Sequence, residues 1–233
     1  MVFIDYLPGF FQGITRVLIS YPFDYFRVFK QTGEKINYTS EIKKFNFYRG
    51  LSFPLLSVPI DRAITFKLYE KLKKEKYSDL ECSVYPSVLS SIYMTPINLL
   101  NTNYIYIRNK SLGTTIKDSI DKGIFRGFSV ELLRNSASGM VFLYTYKKLY
   151  EKVDNSFVSG SISSFVLWSL LYPLDTIKVR MFVNTKSYYD VIKNNSFKSL
   201  YNGIGLVYLR TIPSAGLGML VYENTKGFVE TLK

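Results

Sequence analysis

Apolar and polar stretches alternate along the chain, and six apolar stretches reach helix length: about Pro8 to Gln31, Leu51 to Leu72, Ser83 to Asn109, Phe128 to Tyr150, Ser156 to Phe182 and Ile204 to Val229. They fall into three pairs. Within each pair lies a polar connector with room for one short helix, at about Ser40 to Phe45, Ile116 to Ile120 and Tyr188 to Asn194. Lys73 to Ser83 reads as a charged loop between the first two pairs. The polar residues inside the long stretches keep helical spacing. Ser57, Asp61 and Thr65 share one face of the second stretch, and such a face turns away from lipid towards a polar interior. Phe157 to Pro173 carries no charge, and Ile4 to Pro22 carries only Asp5 and Arg16. About 20 residues of this kind can cross ~30 Å of hydrocarbon if their few charges snorkel or face a cavity.

The stretches also repeat in detail. Tyr172-Pro173-Leu174-Asp175-Thr176-Ile177-Lys178 near the end of the chain matches Tyr21-Pro22-Phe23-Asp24-Tyr25-Phe26-Arg27 near its start. Between them lies Thr95-Pro96-Ile97-Asn98-Leu99-Leu100-Asn101, in which both charged positions have become asparagine. The prolines are 74 and 77 residues apart. One such string would be an ordinary helix start, with proline in the first turn and an acid favouring the helix dipole. Three at one spacing, each after an apolar stretch, make a repeated unit. The second half of each unit agrees. Gly50, Gly127 and Gly203 follow Tyr48-Arg49, Phe125-Arg126 and Tyr201-Asn202 at intervals of 77 and 76 residues, and nineteen residues beyond each glycine stands Tyr69, Tyr146 or Tyr222.

This constellation resembles the mitochondrial carrier family. The resemblance covers nearly the whole chain. It implies an all-α membrane protein of six transmembrane helices in three tandem two-helix repeats with short connector helices, arranged as a pseudo-threefold bundle. The single domain of residues 1–233 would divide at about 1–78, 79–154 and 155–233. In the family, ionic gates lie above and below a binding site near mid-membrane. On the matrix side the resemblance implies helix kinks at Pro22, Pro96 and Pro173, an ion pair of Asp175 with Arg27, Asp24 facing Asn101, Asn98 facing Lys178, and a glutamine brace at Gln31. The opposite gate would use Glu223 with Lys73, and Glu70 with Tyr150. Lys147 stands there where the family has an acid, Lys226 holds the base position of the last unit, and Tyr69, Tyr146 and Tyr222 serve as braces. Substrate contacts would fall at Ser57, Arg134, Asn135 and Arg210, the positions near the middle of the even helices.

Composition narrows the function. Hydrophobic residues make up 47% of the chain and aromatic residues 17%. Thirty basic against eighteen acidic residues, with no histidine, leave a formal charge of +12. The bases form neither a tail nor one stripe, which argues against a nucleic-acid partner. They recur in connectors and after the second helix of a unit, as Lys71, Lys73, Lys74 and Lys76 do, so they suit anionic solutes or membrane lipids such as cardiolipin. Cys82 is alone, so neither a disulfide nor a metal framework is expected, and no removable presequence is expected either. There is no phosphate loop of the Walker type and no histidine base, so no catalytic residues, enzyme activity or cofactor are expected.

Two arginines facing one cavity would be costly without an anion. The favoured reading is therefore a carrier, functional as a monomer, that exchanges anionic nucleotides across the mitochondrial inner membrane. The compact, aromatic-rich chain resembles a virus-encoded carrier acting in a host mitochondrion, which favours nucleotides. Arginine followed by a polar residue at Arg134-Asn135 resembles carriers of carboxylates or keto acids and supports that alternative. A non-transporting membrane receptor or scaffold of the same fold is the third reading.

Overall fold

Three glycines set the turns on which the fold depends. In the computed structural model, which describes residues 6–184 and 187–231, Gly50, Gly127 and Gly203 adopt φ of +85°, +80° and +91°. A side chain at such angles is strained, and here it would also collide. A Cβ on Gly203 would lie 2.9 Å from both Tyr172 Oη and Lys30 Cβ, and one on Gly50 would lie 2.6 Å from Asn101 Oδ1. The neighbours explain the aromatic residue before each outer proline. Tyr21 donates its hydroxyl to Arg49 O, and Tyr172 donates to Asn202 O at 2.8 Å, each fixing the carbonyl before the turn glycine. In the middle unit Thr95 takes the tyrosine's place and bonds back to Ser91 O. Gly203→Ala should therefore lower stability by about 1–3 kcal/mol, read as a fall in Tm of the purified protein against Gly205→Ala, where a Cβ meets nothing within 4 Å.

Six long helices result: α1 (Leu7–Thr32), α3 (Ser52–Lys74), α4 (Asp79–Tyr106), α6 (Phe128–Val153), α7 (Ser156–Val183) and α9 (Ile204–Thr231). The short connector helices are α2 (Tyr38–Lys43), α5 (Leu112–Asp121) and α8 (Tyr188–Lys193). The long helices pack in chain order, α1 on α3, α3 on α4, α4 on α6, α6 on α7 and α7 on α9, and α9 packs back on α1 to close a ring. Close approach of α1 to α3 relies on Gly13, where a Cβ would come within 2.5 Å of Pro59 Cα. The fourth helix starts earlier than the apolar pattern suggests. Ser78 and Glu81 form a reciprocal capping box, which satisfies two otherwise orphaned N–H groups and cuts the expected charged loop to residues 75–78.

The arginine of the turn caps the first long helix of the next unit. Arg49 donates to Tyr104 O at 2.9 Å and Lys110 O at 2.8 Å, and Arg126 donates to Phe182 O, so unpaired carbonyls at the ends of α4 and α7 meet a cation. In the third unit asparagine replaces that base. Arg180 reaches across instead and donates to Gln31 O at 2.7 Å at the end of α1. Three apolar clusters pack around these ends, centred on Tyr25 and Phe29, on Ile177 and Met181, and on Trp168 and Tyr172. The core therefore sits at the proline end of the ring.

One expectation is overturned. The class is all-α, but the chain does not hold six helices that qualify as transmembrane spans in three repeats. Among the described residues one helix, Ser156–Val183 with mean hydropathy 1.4, is long and apolar enough to cross a membrane. There are at most two such spans if Phe197–Thr211 and Gly216–Thr231, bent by 42°, count as a single one. The physical reason is charge. α1 carries Arg16, Asp24 and Arg27, α3 carries Asp61, Arg62 and Lys67, and α6 carries Glu131, Arg134 and Lys147. Each of these lowers the hydropathy of a helix whose outward residues, such as Leu18, Leu56 and Leu133, are apolar and exposed.

Candidate functional site

A cavity of about 1020 Å³ runs down the inside of the ring, from Lys73, Lys74 and Lys226 at its rim to Arg27, Asn98, Asp175 and Lys178 at its floor. Its lining is strongly charged. Among the described lining residues ten are basic and six acidic, so the enclosed field is positive, and low-dielectric walls concentrate it. The rim is wet, with the Lys73 and Lys226 side chains 50% and 45% exposed. The floor is closed, with Asp175 at 2%.

The floor is built around the carboxylate of Asp175. α7 brings it below Trp168, and α1 brings Arg27 and Gln31 to the same level. Arg27 Nη1 lies 3.1 Å from Asp175 Oδ2, which also accepts from Gln31 Nε2 at 2.9 Å. Lys178 Nζ and Arg134 Nη1 approach the other oxygen at 3.7 and 3.8 Å. The structure thus brings Asp175, Arg27 and Gln31 together.

The pairs expected of the middle unit take another form. Asp24 meets Arg27 at 3.4 Å and Arg210 at 3.2 Å, while Asn101 keeps a buried carbonyl oxygen without a hydrogen-bond donor and lies beside Gly50. Asn98 and Lys178 both turn to Glu131, at 2.7 and 3.6 Å. Pro22, Pro96 and Pro173 lie inside α1, α4 and α7, which continue through them.

Of the four expected contact residues, three line the cavity. Arg134, Asn135 and Arg210 do. Arg134 Nη2 donates to Asn135 Oδ1 at 2.6 Å, and Asn135 Nδ2 donates to Ser91 Oγ at 2.9 Å, so the amide holds the guanidinium in place. Arg210 stacks over the Trp168 ring at 4.9 Å, and Arg27 approaches the same ring at 5.6 Å. Ser57 is not among the lining residues, and its hydroxyl donates to Phe53 O at 2.8 Å. One helical turn further on, Asp61 and Arg62 face the cavity instead. Asp61 accepts from Ser90 and, at 2.8 Å, from Tyr93.

At the rim the contacts differ from the expected set. Glu70 meets Lys226 and the Tyr222 hydroxyl, both at 3.1 Å. Lys73 and Lys147 both pair with Asp79, the latter at 3.6 Å. Glu223 is exposed, and Tyr150 stacks on Tyr146 with ring centroids 5.7 Å apart. Tyr69 lines the mouth.

The arrangement can bind an anion. At the floor four cations (Arg27, Arg134, Lys178 and Arg210) meet three carboxylates (Asp24, Glu131 and Asp175). The Nε groups of Arg62 and Arg134 are buried and donate no hydrogen bond among the described residues, while Arg210 Nε faces Asp24 at 3.2 Å. Arg16 and Arg62 add charge above them. A guanidinium with free planar donors in a poorly solvated cavity is suited to phosphate or carboxylate oxygens. The repeat pattern brings out Arg134 and Arg210 but not Arg62, Trp168 or Glu131, which have no counterparts of the same type in the other units. For Arg62 and Glu131 the available signal was a charge inside an otherwise apolar helix.

Comparison with known proteins agrees with this architecture. The family described as mitochondrial carrier protein matches residues 151–233. Over nearly the whole chain the sequence is similar to the mitochondrial arginine transporter BAC2 of Arabidopsis thaliana, at 22% identity over 94% of this chain and 89% of that protein. It is 25% identical to the mitochondrial magnesium exporter 1 of Drosophila melanogaster, over 97% and 94% of the two chains. It is 21% identical to the mitochondrial ornithine transporter 1 of Saccharomyces cerevisiae, over 95% and 94%.

Proposed function

We propose that the chain is a mitochondrial carrier at large, from the family match over residues 151–233 and the similarity to mitochondrial transporters over nearly the whole chain, and that it moves an anionic small solute through its central cavity by alternating access. It is accordingly a transport protein of small metabolites in a mitochondrial membrane, not an enzyme. The observation that carries the anion is the pair of buried Nε groups of Arg62 and Arg134, which meet no hydrogen-bond acceptor among the described residues, beside Arg210 in one positive cavity. A buried N–H without an acceptor is costly, and an entering phosphate or carboxylate removes that cost.

Within this reading a nucleotide is the favoured solute. The cavity is large enough for one, and Trp168 with its flanking arginines offers a face on which a base can stack. The names of the relatives point elsewhere, to arginine, ornithine and magnesium, and lend the nucleotide no support. The second reading is a carboxylate, keto acid or amino acid. It is favoured by the Arg134–Asn135 contact, which presents a cation and an amide side by side, and by Asp61, a cavity-facing carboxylate that accepts from the hydroxyl groups of Ser90 and Tyr93. Exchange rather than one-way flux, the inner membrane, function as a monomer among lipids including cardiolipin, and a virus-encoded origin acting in a host mitochondrion rest on resemblance alone. So does the division into units of residues 1–78, 79–154 and 155–233.

On this reading the floor is one gate, closed by Asp24, Arg27, Gln31, Asp175 and Lys178. The rim residues Tyr69, Glu70, Lys73, Tyr146, Lys147, Tyr150, Tyr222, Glu223 and Lys226 form the other gate when that end closes. Arg134 and Arg210 touch both the cavity and the floor carboxylates Asp175 and Asp24. An anion that takes these arginines competes with the gate for them, and so couples binding to opening. A thermal-shift panel on the purified protein tests solute class. A ligand at a hundred times its Kd stabilises by about 2.7 kcal/mol, so a nucleoside triphosphate should raise Tm by several degrees. A rise with arginine or ornithine alone would move the assignment to the second reading.

A further inference from the structure

We propose that Glu131 supplies the gate carboxylate that the middle proline motif lacks. The inference rests on reading the closed floor as a gate. In the outer units that carboxylate is Asp24 or Asp175, two residues after the proline, whereas Pro96 is followed at the same distance by Asn98. The charge has moved rather than vanished. Glu131 enters from the first turn of α6 with its side chain fully buried. Its Oε1 accepts from Asn98 Nδ2 at 2.7 Å and faces Lys178 Nζ at 3.6 Å. Lys178 is the base to which an acid at position 98 would have turned.

The two changes fit one another. An aspartate at position 98 would press a second carboxylate against Glu131, while an asparagine amide donates to it. The counterparts of Glu131, four residues after the other turn glycines, are Pro54 and Val207, so this carboxylate belongs to the middle unit alone. The amino-terminal turn of a helix favours a negative charge, and Glu131 lies in the first turn of α6. The second oxygen, Oε2, is buried without a donor among the described residues. Hydrogen bonding alone therefore does not account for a carboxylate here, and its charge must matter.

The test exchanges the charge between helices. Glu131→Gln keeps the shape and the capacity to accept from Asn98 but leaves Lys178 one carboxylate short; Asn98→Asp adds a carboxylate beside the first. Each alone should lower transport about tenfold or more at equal abundance and lower Tm, since breaking a buried charge pair is strongly destabilising. The double variant Asn98→Asp/Glu131→Gln returns one carboxylate to its place in the other units, and should recover transport to within about threefold of the starting protein together with most of the lost Tm. Penalties that simply add, or Glu131→Gln behaving as the starting protein does, would overturn the proposal. If Glu131→Gln alone gives no folded protein, the double variant decides the matter, because it folds only if the relocated charge restores the pair. The Tm comparison needs no transported solute, so it stands if the carrier reading fails. Transport by the starting protein with no recovery in the double variant would reject Glu131 and leave the carrier reading intact.

Discussion

Asp175→Asn is expected to be the most damaging single substitution in the chain. The carboxylate is 2% exposed and faces Arg27, Lys178 and Arg134 at 3.1, 3.7 and 3.8 Å while accepting from Gln31. Removing its charge leaves three cations crowded at a dry floor. Breaking one buried pair costs about 3–5 kcal/mol, and this change breaks several at once, so the protein should melt many degrees lower and lose transport. The geometry also changes what a charge exchange can do. Swapping Asp175 and Arg27 would restore their mutual attraction but place an arginine between Lys178 and Arg134, so the swap should recover little. At the rim, by contrast, Glu70 and Lys226 are 33% and 45% exposed, and an exposed pair is worth about 0–1 kcal/mol. Exchanging those two residues should change Tm by less than about 1 kcal/mol in equivalent stability. Melting curves of the three variants in one detergent would check the contrast, and equal sensitivity at floor and rim would refute the assignment of the closed end.

Arg134→Gln and Arg210→Gln form the second large prediction, and they separate solute binding from structure. Arg134 keeps a buried Nε without a hydrogen-bond acceptor among the described residues, Arg210 sets its Nε 3.2 Å from Asp24, and each touches one floor carboxylate. A charge-assisted hydrogen bond at such a site is worth about 1.5–3 kcal/mol, so each change should reduce uptake of an anionic solute by roughly 10- to 150-fold. Lys152→Gln, at an exposed position outside the cavity, should leave uptake unchanged. Arg→Lys should fall between, because an ammonium cannot offer two parallel donors to phosphate or carboxylate. Arg210 carries a second expectation. Its stacking on Trp168 at 4.9 Å means that Trp168→Leu should weaken binding of a nucleotide more than binding of a dicarboxylate. Uptake kinetics of all six variants in one liposome preparation would measure this, and unchanged kinetics in both glutamine variants would remove the arginines from the site.

What the sequence made legible is what it repeats. The turn glycines could be read because the same residue types recur at one spacing, and recurrence reflects a shared backbone geometry; the Asp175–Arg27 contact followed from the family resemblance, and the hold of Tyr21 and Tyr172 on the turns came only with the structure. Glu131 could not be read that way, since a residue that replaces a lost charge stands outside the repeat by its nature. For Arg16 the sequence left snorkelling and a place facing the cavity both open, and the side chain lines the cavity. Ser57 occupies the right number in the repeat but bonds back to Phe53 O, and Arg62, five residues on, faces inward. A count of residues from a glycine fixes a level in a helix only to within a turn. The number of membrane spans was misjudged for a related reason. Apolar length was read from each stretch as a whole, whereas the inward charges of α1, α3 and α6 dilute it below what a span needs.

The most direct measurement of the central claim is counterflow into liposomes holding the purified protein, with a nucleoside triphosphate, a dicarboxylate and arginine each supplied inside and outside in turn. The account predicts saturable uptake of labelled nucleotide that needs internal anion, that the dicarboxylate inhibits more than arginine does, and that Arg134→Gln with Arg210→Gln abolishes. Uptake of arginine without uptake of either anion, or uptake of none of the three by a protein whose melting curve shows it folded, would contradict it.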